Sequence, residues 1–324
     1  MITKEDLQKV RNKAASINAL VIGDAMLDRY IIGVVERISP EAPVPILTHH
    51  STETRAGGAA NVAINLSSWG CHTSLVGMIG NDMNGNELKD ILDQNKIQHH
   101  LYISNTRVTT VKTRVVAASH HLLRIDEESS DYLSGDEESN FIQHLENILS
   151  VKKPDLIIIE DYNKGVLTEK IIAWIIDYSK RNNVFLAIDP KEKHFLNYQE
   201  ANLFKPNLRE AAHAAHKNLM IEDLKELSAE WRNNKAFDTI AITLGGQGVF
   251  LHNQESTEIV KPLHSIDVVD VCGAGDAVIC ALALAQLSGL DLKKSGELAN
   301  LTGAYVCSHS GVVSVDPVEI ENWI

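Results

Sequence analysis

A loop of small residues followed by an acid is the most chemically suggestive feature of this sequence. The loop Gly273-Ala274-Gly275 precedes Asp276, where an apolar segment typical of a buried helix begins. Unpaired backbone N–H groups at the start of a helix attract anions, and the helix dipole adds to that attraction. The sequence therefore predicts an anion site with a carboxylate at its entrance.

A carboxylate beside an anion site suits the transfer of a phosphoryl group to a neutral alcohol. The loop amides would stabilise the developing negative charge, and Asp276 would orient and deprotonate the attacking hydroxyl. No lysine follows the glycines, so the loop is not of the Walker type. The structural alternative is an ordinary glycine turn in which Asp276 only caps the helix.

A second glycine-rich segment precedes another predicted helix. Gly57 and Gly58 allow a ligand to approach the backbone, and Asn61 follows about one turn into the helix. Glycines at such a position serve close packing of a helix on a sheet equally well. Both interpretations stay open at this point.

The composition narrows the classes of function. The chain has 324 residues, a formal net charge of −13 and 44% hydrophobic residues. Nucleic acids and anionic membranes bind clustered Lys and Arg, so we expect neither as a partner. There is no apolar signal region at the N-terminus and no apolar run of membrane-spanning length, which predicts a soluble, cytoplasmic protein. The four cysteines form no Cys-x-x-Cys pair and are expected to be free thiols.

Short apolar runs alternate with helical patterns along most of the chain. Strands are predicted in ALVIGD, TSLVGMIG, PDLIIIED, VFLAIDP, DTIAITLGG, GVFLHN and SIDVVDV. Most of these runs are continuous rather than alternating, which indicates burial on both faces. We therefore expect an α/β fold: a doubly wound, mainly parallel sheet with helices on both faces. Two late helices are predicted over residues 276–290 and 292–309, the first of them fully buried.

Two regions interrupt this alternation. Residues 29–54 contain three prolines and β-forming runs, and residues 106–126 indicate two strands with a turn near Ala118 to His120. Neither pattern suits a covering helix. We interpret both as a small β layer, a lid, that stands off the main sheet of one domain spanning residues 1–324.

Two long segments resemble the signatures of the PfkB/ribokinase family of carbohydrate kinases. Residues 270–283 match the second signature except at Cys280, where Ser, Ala, Gly or Val is usual. Residues 56–80 match the first signature at Gly57, Gly58, Asn61, Ala63, Gly70 and Gly80. The resemblance covers essentially the whole chain. It implies an ATP-dependent kinase with Mg²⁺, built as a doubly wound α/β sheet with a small β lid.

The same resemblance implies roles for individual residues. Asp276 would be the catalytic base, with the anion hole formed by Gly273, Ala274 and Gly275. In KPNLREA, Asn207 and Glu210 would act through water on magnesium and phosphate. For Glu210 the alternative is a first-turn acid that stabilises its helix.

Further parts of the chain resemble the family's nucleotide and cation sites. The residues implied to line the nucleotide are Thr243, Gly245, Gly248 and Asn300. The stretch TLGGQGVF, which holds the first three, is alternatively a β-hairpin turn. Asp270 and residues 311–314 would form a monovalent-cation site, so K⁺ is a further expected cofactor.

The amino-terminal part resembles a narrower group within the family. GDAMLDRYIIG and RISPEAPVP are similar to kinases that phosphorylate the C1 hydroxyl of D-glycero-β-D-manno-heptose 7-phosphate. That reaction lies on the route to ADP-heptose for lipopolysaccharide core. Such kinases are often fused to a nucleotidyltransferase with a His-x-Gly-His element, which this sequence lacks, so we expect the kinase alone.

Acidic and amide side chains near predicted strand ends are candidates for binding the sugar. Asp24, Asp28 and Asn61 would accept hydrogen bonds from hydroxyl groups, although Asp24 would equally serve as a cap after the first strand. Asp161 and Asp189 lie at predicted strand ends, where open α/β sheets bind ligands.

A sugar phosphate also needs cations in an otherwise acidic protein. The candidates are Lys112, Arg114, Arg124 and Lys164. Lys112 and Arg114 alternate along one predicted strand and so share a face. The alternative for each is a solvated surface charge.

Other functions compete with this interpretation. The nearest is another sugar or nucleoside kinase of the same family, although a nucleoside kinase would have little use for a cationic lid. A non-catalytic sugar- or nucleotide-binding protein would gain nothing from a carboxylate beside the phosphates. A dehydrogenase is disfavoured because no G-x-G-x-x-G follows the first strand. Because relatives pair a lid edge between subunits, we expect a homodimer.

Overall fold

The computed structural model describes residues 1–117 and 120–324, so the centre of the predicted turn at Ala118 lies outside the described residues. The strands are β1 (Asn18–Gly23), β2 (Ala25–Ile38), β3 (Pro45–Gly58), β4 (His72–Val76), β5 (Met78–Gly80), β6 (Gln98–His99), β7 (Tyr102–Ser104), β8 (Thr110–Ala117), β9 (His120–Glu127), β10 (Leu156–Glu160), β11 (Phe185–Asp189), β12 (Leu203–Phe204), β13 (Thr239–Thr243), β14 (Val249–His252) and β15 (Thr257–Val260). The α-helices are α1 (Lys4–Ala14), α2 (Ala59–Ser68), α3 (Met83–Gln94), α4 (Gly135–Val151), α5 (Glu169–Asn182), α6 (Leu208–Ala214), α7 (Leu224–Lys235), α8 (Ala274–Leu287), α9 (Leu292–Cys307) and α10 (Pro317–Glu321).

A nine-stranded sheet forms the centre of the molecule, in the order β15-β14-β13-β12-β11-β10-β1-β4-β6. Pairing is parallel from β6 through to β13, and β14 and β15 add two antiparallel strands at one edge. The winding reverses direction between β1 and β10. This is the doubly wound α/β fold that the sequence predicts, and that prediction is confirmed.

Side chains of the central strands pack alternately into two helical layers. In β10, Leu156 and Ile158 join the core under α1, α2, α8 and α9, whereas Ile157 and Ile159 join the core under α4, α5 and α7. Every one of these strand side chains is fully buried, and each contributes roughly 1.5–3 kcal/mol by leaving water. Helix α8 is buried around nearly its whole circumference, as its apolar sequence predicts.

Local signals explain where the covering helices begin and end. In α5, the hydroxyl of Thr168 accepts a hydrogen bond from the Ile171 N–H, which caps the first turn. Ile171 and Ile175 lie one turn apart on the buried face. Asn183 ends the helix in the left-handed conformation with φ of 50°. Replacing a cap such as Thr168 by alanine typically costs about 1 kcal/mol.

The lid is a separate four-stranded sheet in the order β3-β2-β8-β9. Strand β2 begins one residue after Asp24, so the lid strands start earlier than the predicted boundary at residue 29. Strand β9 is an edge strand of this sheet, and its Leu123 and Ile125 side chains are about half exposed, at 57% and 46%. The homodimer through a lid edge stays a prediction.

Two of the predicted strands differ in the structure. TSLVGMIG divides at Gly77, because β4 joins the central sheet while β5 pairs with β7 in a separate two-stranded sheet. SIDVVDV forms no strand. Its Val269 and Asp270 N–H groups donate to the Cys307 carbonyl at the end of α9 instead of to a neighbouring strand, and Val268 is left 62% exposed.

Two further expectations concern the whole chain. All four cysteines are free thiols, as predicted. Among the helices of the described residues, none combines the length and the apolar character that crossing a membrane requires.

Candidate active site

The register of the parallel strands brings several acids to one edge of the central sheet. Gly23 of β1 lies beside Glu160 of β10, and Glu160 lies beside Asp189 of β11. Asp24 and Asp161 follow directly after the first two of these strands. Ligands of doubly wound sheets bind where the winding reverses, which here is between β1 and β10. The predicted residues Asp24, Asp161 and Asp189 therefore lie together.

Asp276 lies in the first turn of α8 and is only 4% exposed. Its Oδ2 accepts a hydrogen bond from Asn61 Nδ2 at 2.6 Å, and its Oδ1 accepts one from the Tyr162 hydroxyl at 2.8 Å. Burial raises the pKa of Asp276, and the donors Asn61 and Tyr162 oppose that rise. The two neutral donors thus orient the carboxylate and favour its charged form.

The helix α8 begins two residues earlier than predicted, so that Gly273 is its N-cap and Ala274 and Gly275 form its first turn with Asp276. Gly273 precedes α8 with φ of 78°, a left-handed conformation that favours glycine. A Cβ added to Gly275 would lie 3.7 Å from Nζ of Lys205, so a buried ammonium faces the loop. The N-terminal amides of α8 and this ammonium both favour negative charge at the loop.

A buried cluster of charges surrounds Asp276. Carboxylate oxygens of Glu160, Asp189 and Asp276 lie within 4.8 Å of one another. Lys205, 2% exposed, pairs with Asp189 at 2.7 Å. Burial lowers the pKa of Lys205, but Asp189 outweighs that effect and raises it, so the ammonium stays charged. Burial, with Asp189 and Asp276 nearby, raises the pKa of Glu160 well above its ordinary value.

Three residues of this site are absent from the sequence-based candidates. Lys205 and Glu160 belong to the charge cluster, and Tyr162 bonds the candidate base. Lys205 stands directly before Pro206 and Asn207 in KPN, and Glu160 ends the apolar run LIIIE. The signal available in the sequence was a charged residue directly next to a fully apolar strand. Such a residue is buried together with the strand, and a charged side chain is seldom fully buried unless it has a partner.

The acidic cluster fits a divalent cation by its donor chemistry. Oε2 of Glu160 is buried and lacks a hydrogen-bond partner in the described part of the chain. Carboxylate oxygens are the ligands that Mg²⁺ prefers. Glu160 and Asp189 would therefore hold such an ion close to the anion loop, while both oxygens of Asp276 accept from Asn61 and Tyr162.

Asn207 and Glu210 bond each other at the start of α6. Glu210 N–H donates to Asn207 Oδ1 at 2.9 Å, and Asn207 N–H donates to Glu210 Oε2 at 2.8 Å. The other oxygen of Glu210 pairs with Lys191 at 2.5 Å. The helix-stabilising interpretation of Glu210 is thus realised, and the action of both residues on magnesium through water stays a prediction.

Asp24 has one carboxylate oxygen available. Its Oδ2 accepts hydrogen bonds from the N–H groups of Tyr162 and Lys164 at 2.8 and 3.0 Å, whereas Oδ1 is buried without a partner in the described residues. Burial, and then the Asp161 carboxylate, raise the pKa of Asp24 to about 6. Asp161 itself accepts from the Tyr198 hydroxyl at 2.8 Å. An incoming hydroxyl group would satisfy Oδ1 of Asp24.

The glycine pair lies against the lid. A Cβ on Gly57 would come within 2.1 Å of Oδ2 of Asp28, and Gly58 has φ of 56° just before α2. Asp28 is buried and forms an ion pair with Arg114. The glycines therefore serve close packing in this structure, while their contact with a ligand stays a prediction.

Three of the candidate cations lie on the lid strands β8 and β9, and Lys164 lies in the loop after β10. Lys112 Nζ lies 4.8 Å from the centre of the Tyr162 ring, and Lys164 pairs with Glu128 at 2.6 Å. Arg124 is opposite Arg114 in the β8–β9 register. It is 60% exposed and pairs with Asp126 at 2.9 Å. Arg124 is thus the most solvated of the four.

The candidate nucleotide residues gather near β13 and β15. Thr243 forms an isolated bridge with Asn207, and residues 245–247 form a 3₁₀ turn between the antiparallel strands β13 and β14. Asn300 of α9 donates to the Val260 carbonyl at 2.8 Å, and a Cβ on Gly248 would lie 2.1 Å from that same oxygen. The hairpin alternative is therefore realised, and nucleotide binding by these residues stays a prediction.

A buried acid beside helix N-terminal amides, on a doubly wound sheet with a β lid, suits the transfer of a phosphoryl group to an alcohol. The sequence model of the pfkB family carbohydrate kinases matches residues 16–319. The chain belongs to this family of carbohydrate kinases.

Curated relatives and solved structures agree with this assignment. The bifunctional protein HldE of Koribacter versatilis is 36% identical over 318 residues, 98% of this chain, and that of Helicobacter hepaticus is 35% identical over 314 residues, 96% of it. The chain spans 65% and 64% of the length of these two relatives.

Solved structures share the fold at low identity. Phosphofructokinase-2 from Escherichia coli in complex with potassium has a TM-score of 0.79 at 18% identity, covering 95% of this chain and 99% of that one. Arabidopsis thaliana ribokinase with ribose and ATP has a TM-score of 0.70 at 16% identity, covering 94% and 98%.

The Tyr162 hydroxyl yields a testable prediction about pH. In Tyr162→Phe, Asp276 loses a donor that opposes the effect of burial, so its pKa rises and more of it is protonated at a given pH. We expect kcat to fall about tenfold near neutrality, and the acidic limb of the kcat/KM profile to move to higher pH. Tyr178→Phe, which removes a hydroxyl beside Trp174 on α5, is the matched control. An unchanged acidic limb in Tyr162→Phe would contradict the prediction.

Proposed function

We propose that the chain transfers the γ-phosphoryl group of ATP to the C1 hydroxyl of D-glycero-β-D-manno-heptose 7-phosphate. The observation that carries this proposal is the cationic lid face, where Lys112 and Arg114 lie close to Asp28 and Tyr162 at the acceptor side of Asp276. The amino-terminal resemblance to heptose-phosphate kinases and the similarity to HldE proteins support the choice of sugar.

The arrangement suits direct transfer between two oxygens. Asp276 takes the proton of the C1 hydroxyl as that oxygen forms its bond to the γ-phosphorus, and the bond from the γ-phosphorus to the bridging oxygen of ADP breaks. The amides of Gly273, Ala274 and Gly275, with the Lys205 ammonium behind them, stabilise the charge on the transferring group. A loose transition state demands positioning more than early proton removal. A bound Mg²⁺ would supply neutralisation of phosphate charge.

Charges and unsatisfied groups support a placement for each end of the sugar phosphate. Oδ1 of Asp24, which is buried and has no partner among the described residues, is the acceptor proposed for a sugar hydroxyl. Lys112, Arg114 and Lys164 attract the 7-phosphate, since the chain as a whole repels anions at its net charge of −13. Arg114 and Lys164 already pair with Asp28 and Glu128, so an unphosphorylated sugar or a nucleoside would mainly leave the Lys112 ammonium without an anionic partner.

A substrate panel tests the proposal. Purified protein with ATP and Mg²⁺ is assayed for ADP release with the β-heptose 7-phosphate, its α anomer, fructose 6-phosphate, ribose and adenosine. We expect turnover of the β-heptose and its loss in Asp276→Asn. Preferred turnover of another member would overturn the substrate and keep the mechanism. ATP binding without turnover of any member would favour the non-catalytic binding protein.

Lys112 provides a separate test of the phosphate site. Lys112→Met retains the apolar stem but removes the charge, so KM for the sugar phosphate should rise roughly 10- to 100-fold with a smaller change in kcat. Lys153→Met, at an exposed lysine after α4, is the matched control. An equal effect of Lys112→Met on an unphosphorylated sugar would show that Lys112 does not bind the phosphate.

A further inference from the structure

An arginine of the lid reaches the segment where the family resemblance implies a monovalent cation. Nη1 of Arg55, on β3, donates to the carbonyl oxygens of Ser310 and Val312 at 2.7 and 3.0 Å. A Cβ on Gly311, which has φ of 70°, would lie 2.8 Å from the same nitrogen. The guanidinium is therefore seated on the two carbonyls that flank Gly311.

The other polar groups of this segment are also engaged within the protein. Oδ1 of Asp270 accepts from the Cys272 N–H at 3.0 Å, and Oδ2 accepts from the Gly311 N–H at 3.1 Å. Burial raises the pKa of Asp270, but these donors outweigh it and lower the pKa below its ordinary value. The Val312 N–H donates to the Tyr30 hydroxyl at 3.2 Å. Asp270 is thus held as a carboxylate by amides.

These oxygens do not fit a potassium ion alongside the guanidinium. A bound cation competes for the lone pairs of Ser310 and Val312 that Arg55 uses, and it meets a like charge a few ångströms away. Arg55 also lies over the Tyr30 ring, 5.6 Å from its centre, and its Nη2 pairs with Glu53 at 2.8 Å. The guanidinium is therefore fixed from the lid side as well.

We propose that Arg55 takes the place of the monovalent cation in this chain, so that the kinase works without K⁺. A fixed guanidinium orders the carbonyls of residues 310–312 and, through Gly311 and Asp270, the loop that leads into the anion site. Arg55 is opposite Asp28 in the β2–β3 register, so the same residue ties the lid to that loop. The proposal concerns which cation activates this kinase. It depends on the proposed function only for the sugar phosphate that is used in the activity assay.

The first experiment needs no variant. Turnover of the sugar phosphate by wild-type protein is measured in KCl, NaCl and tetramethylammonium chloride at equal ionic strength. We expect rates that agree within about twofold, because the cationic role is already filled. A K⁺-specific stimulation of about tenfold or more would overturn the proposal.

Thermal unfolding in the same salts tests the inference without any substrate. The wild-type Tm is expected to be the same in K⁺ and Na⁺, and a Tm raised by K⁺ alone would contradict the proposal. Wild type that is inactive in every salt would count against the substrate assignment, while the melting experiment still decides the cation question.

Removing the guanidinium of Arg55 should make the enzyme depend on an added cation. Arg55→Ala is expected to lose about tenfold or more of its activity and to recover part of it with K⁺ or millimolar guanidinium. Arg181→Ala, at an exposed arginine of α5, is the matched control and should behave as wild type. Full activity of Arg55→Ala with no response to either cation would overturn the proposal. Should Arg55→Ala fail to fold, the wild-type salt series and melting curves decide the question.

Discussion

Asp276→Asn is expected to lower kcat by a factor of roughly 10² to 10⁴, the range that a general base contributes. Asparagine keeps the size of the side chain but cannot accept the proton of the attacking hydroxyl. Its amide also presents an NH₂ group to either Asn61 or Tyr162, both of which donate to the carboxylate in the wild type. The measurement is steady-state ADP release, with ATP affinity followed by calorimetry.

The same variant should remain folded and should bind ATP. Replacing a buried carboxylate with a neutral amide removes a desolvation cost, so we expect no large drop in Tm. Asp291→Asn, at the N-cap of α9, is the matched control, since asparagine caps a helix as well as aspartate does. If kcat of the folded Asp276→Asn variant falls by less than about tenfold, Asp276 is not the base.

Lys205→Met is expected to affect both stability and turnover. The substitution leaves the buried acids Glu160, Asp189 and Asp276 without their shared ammonium, and breaking a buried pair typically costs about 3–5 kcal/mol. The loop at Gly275 also loses the positive charge behind it, so kcat should fall as well. The free energy of unfolding is measured by urea titration.

The pH dependence of the lost stability distinguishes a charge effect of Lys205 from a packing effect. Burial already raises the pKa of Glu160 and of Asp276, and Lys205 opposes both rises, so its removal raises both pKa values further and the folded state binds more protons. Stability then falls as pH increases, and the deficit relative to wild type shrinks towards acidic pH. Lys153→Met is the exposed control. A deficit that is independent of pH would indicate lost packing alone.

Much of the framework could be predicted from local patterns. Continuous apolar runs such as LIIIE identify strands buried on both faces, and their alternation with amphipathic helices leads to a doubly wound sheet. The small-residue loop before Asp276 is recognisable because the backbone geometry of a helix start is a property of adjacent residues. The segment SIDVVDV was misassigned because a strand also requires a partner strand, which local sequence does not specify.

The sequence by itself determined the class of fold, the loop of residues 273–275 and the acid that follows it, because these depend on residues close together in the chain. Tertiary structure decided which side chains surround that acid. Glu160 ends β10 and Tyr162 lies in the loop directly after it, whereas Lys205 follows β12, and the order and register that bring these strand ends to Asp276 arise from packing of the whole sheet. Arg55 and Ser310 are 255 residues apart in the chain, so no local pattern connects them, and their contact exists only because the lid folds back over the end of α9.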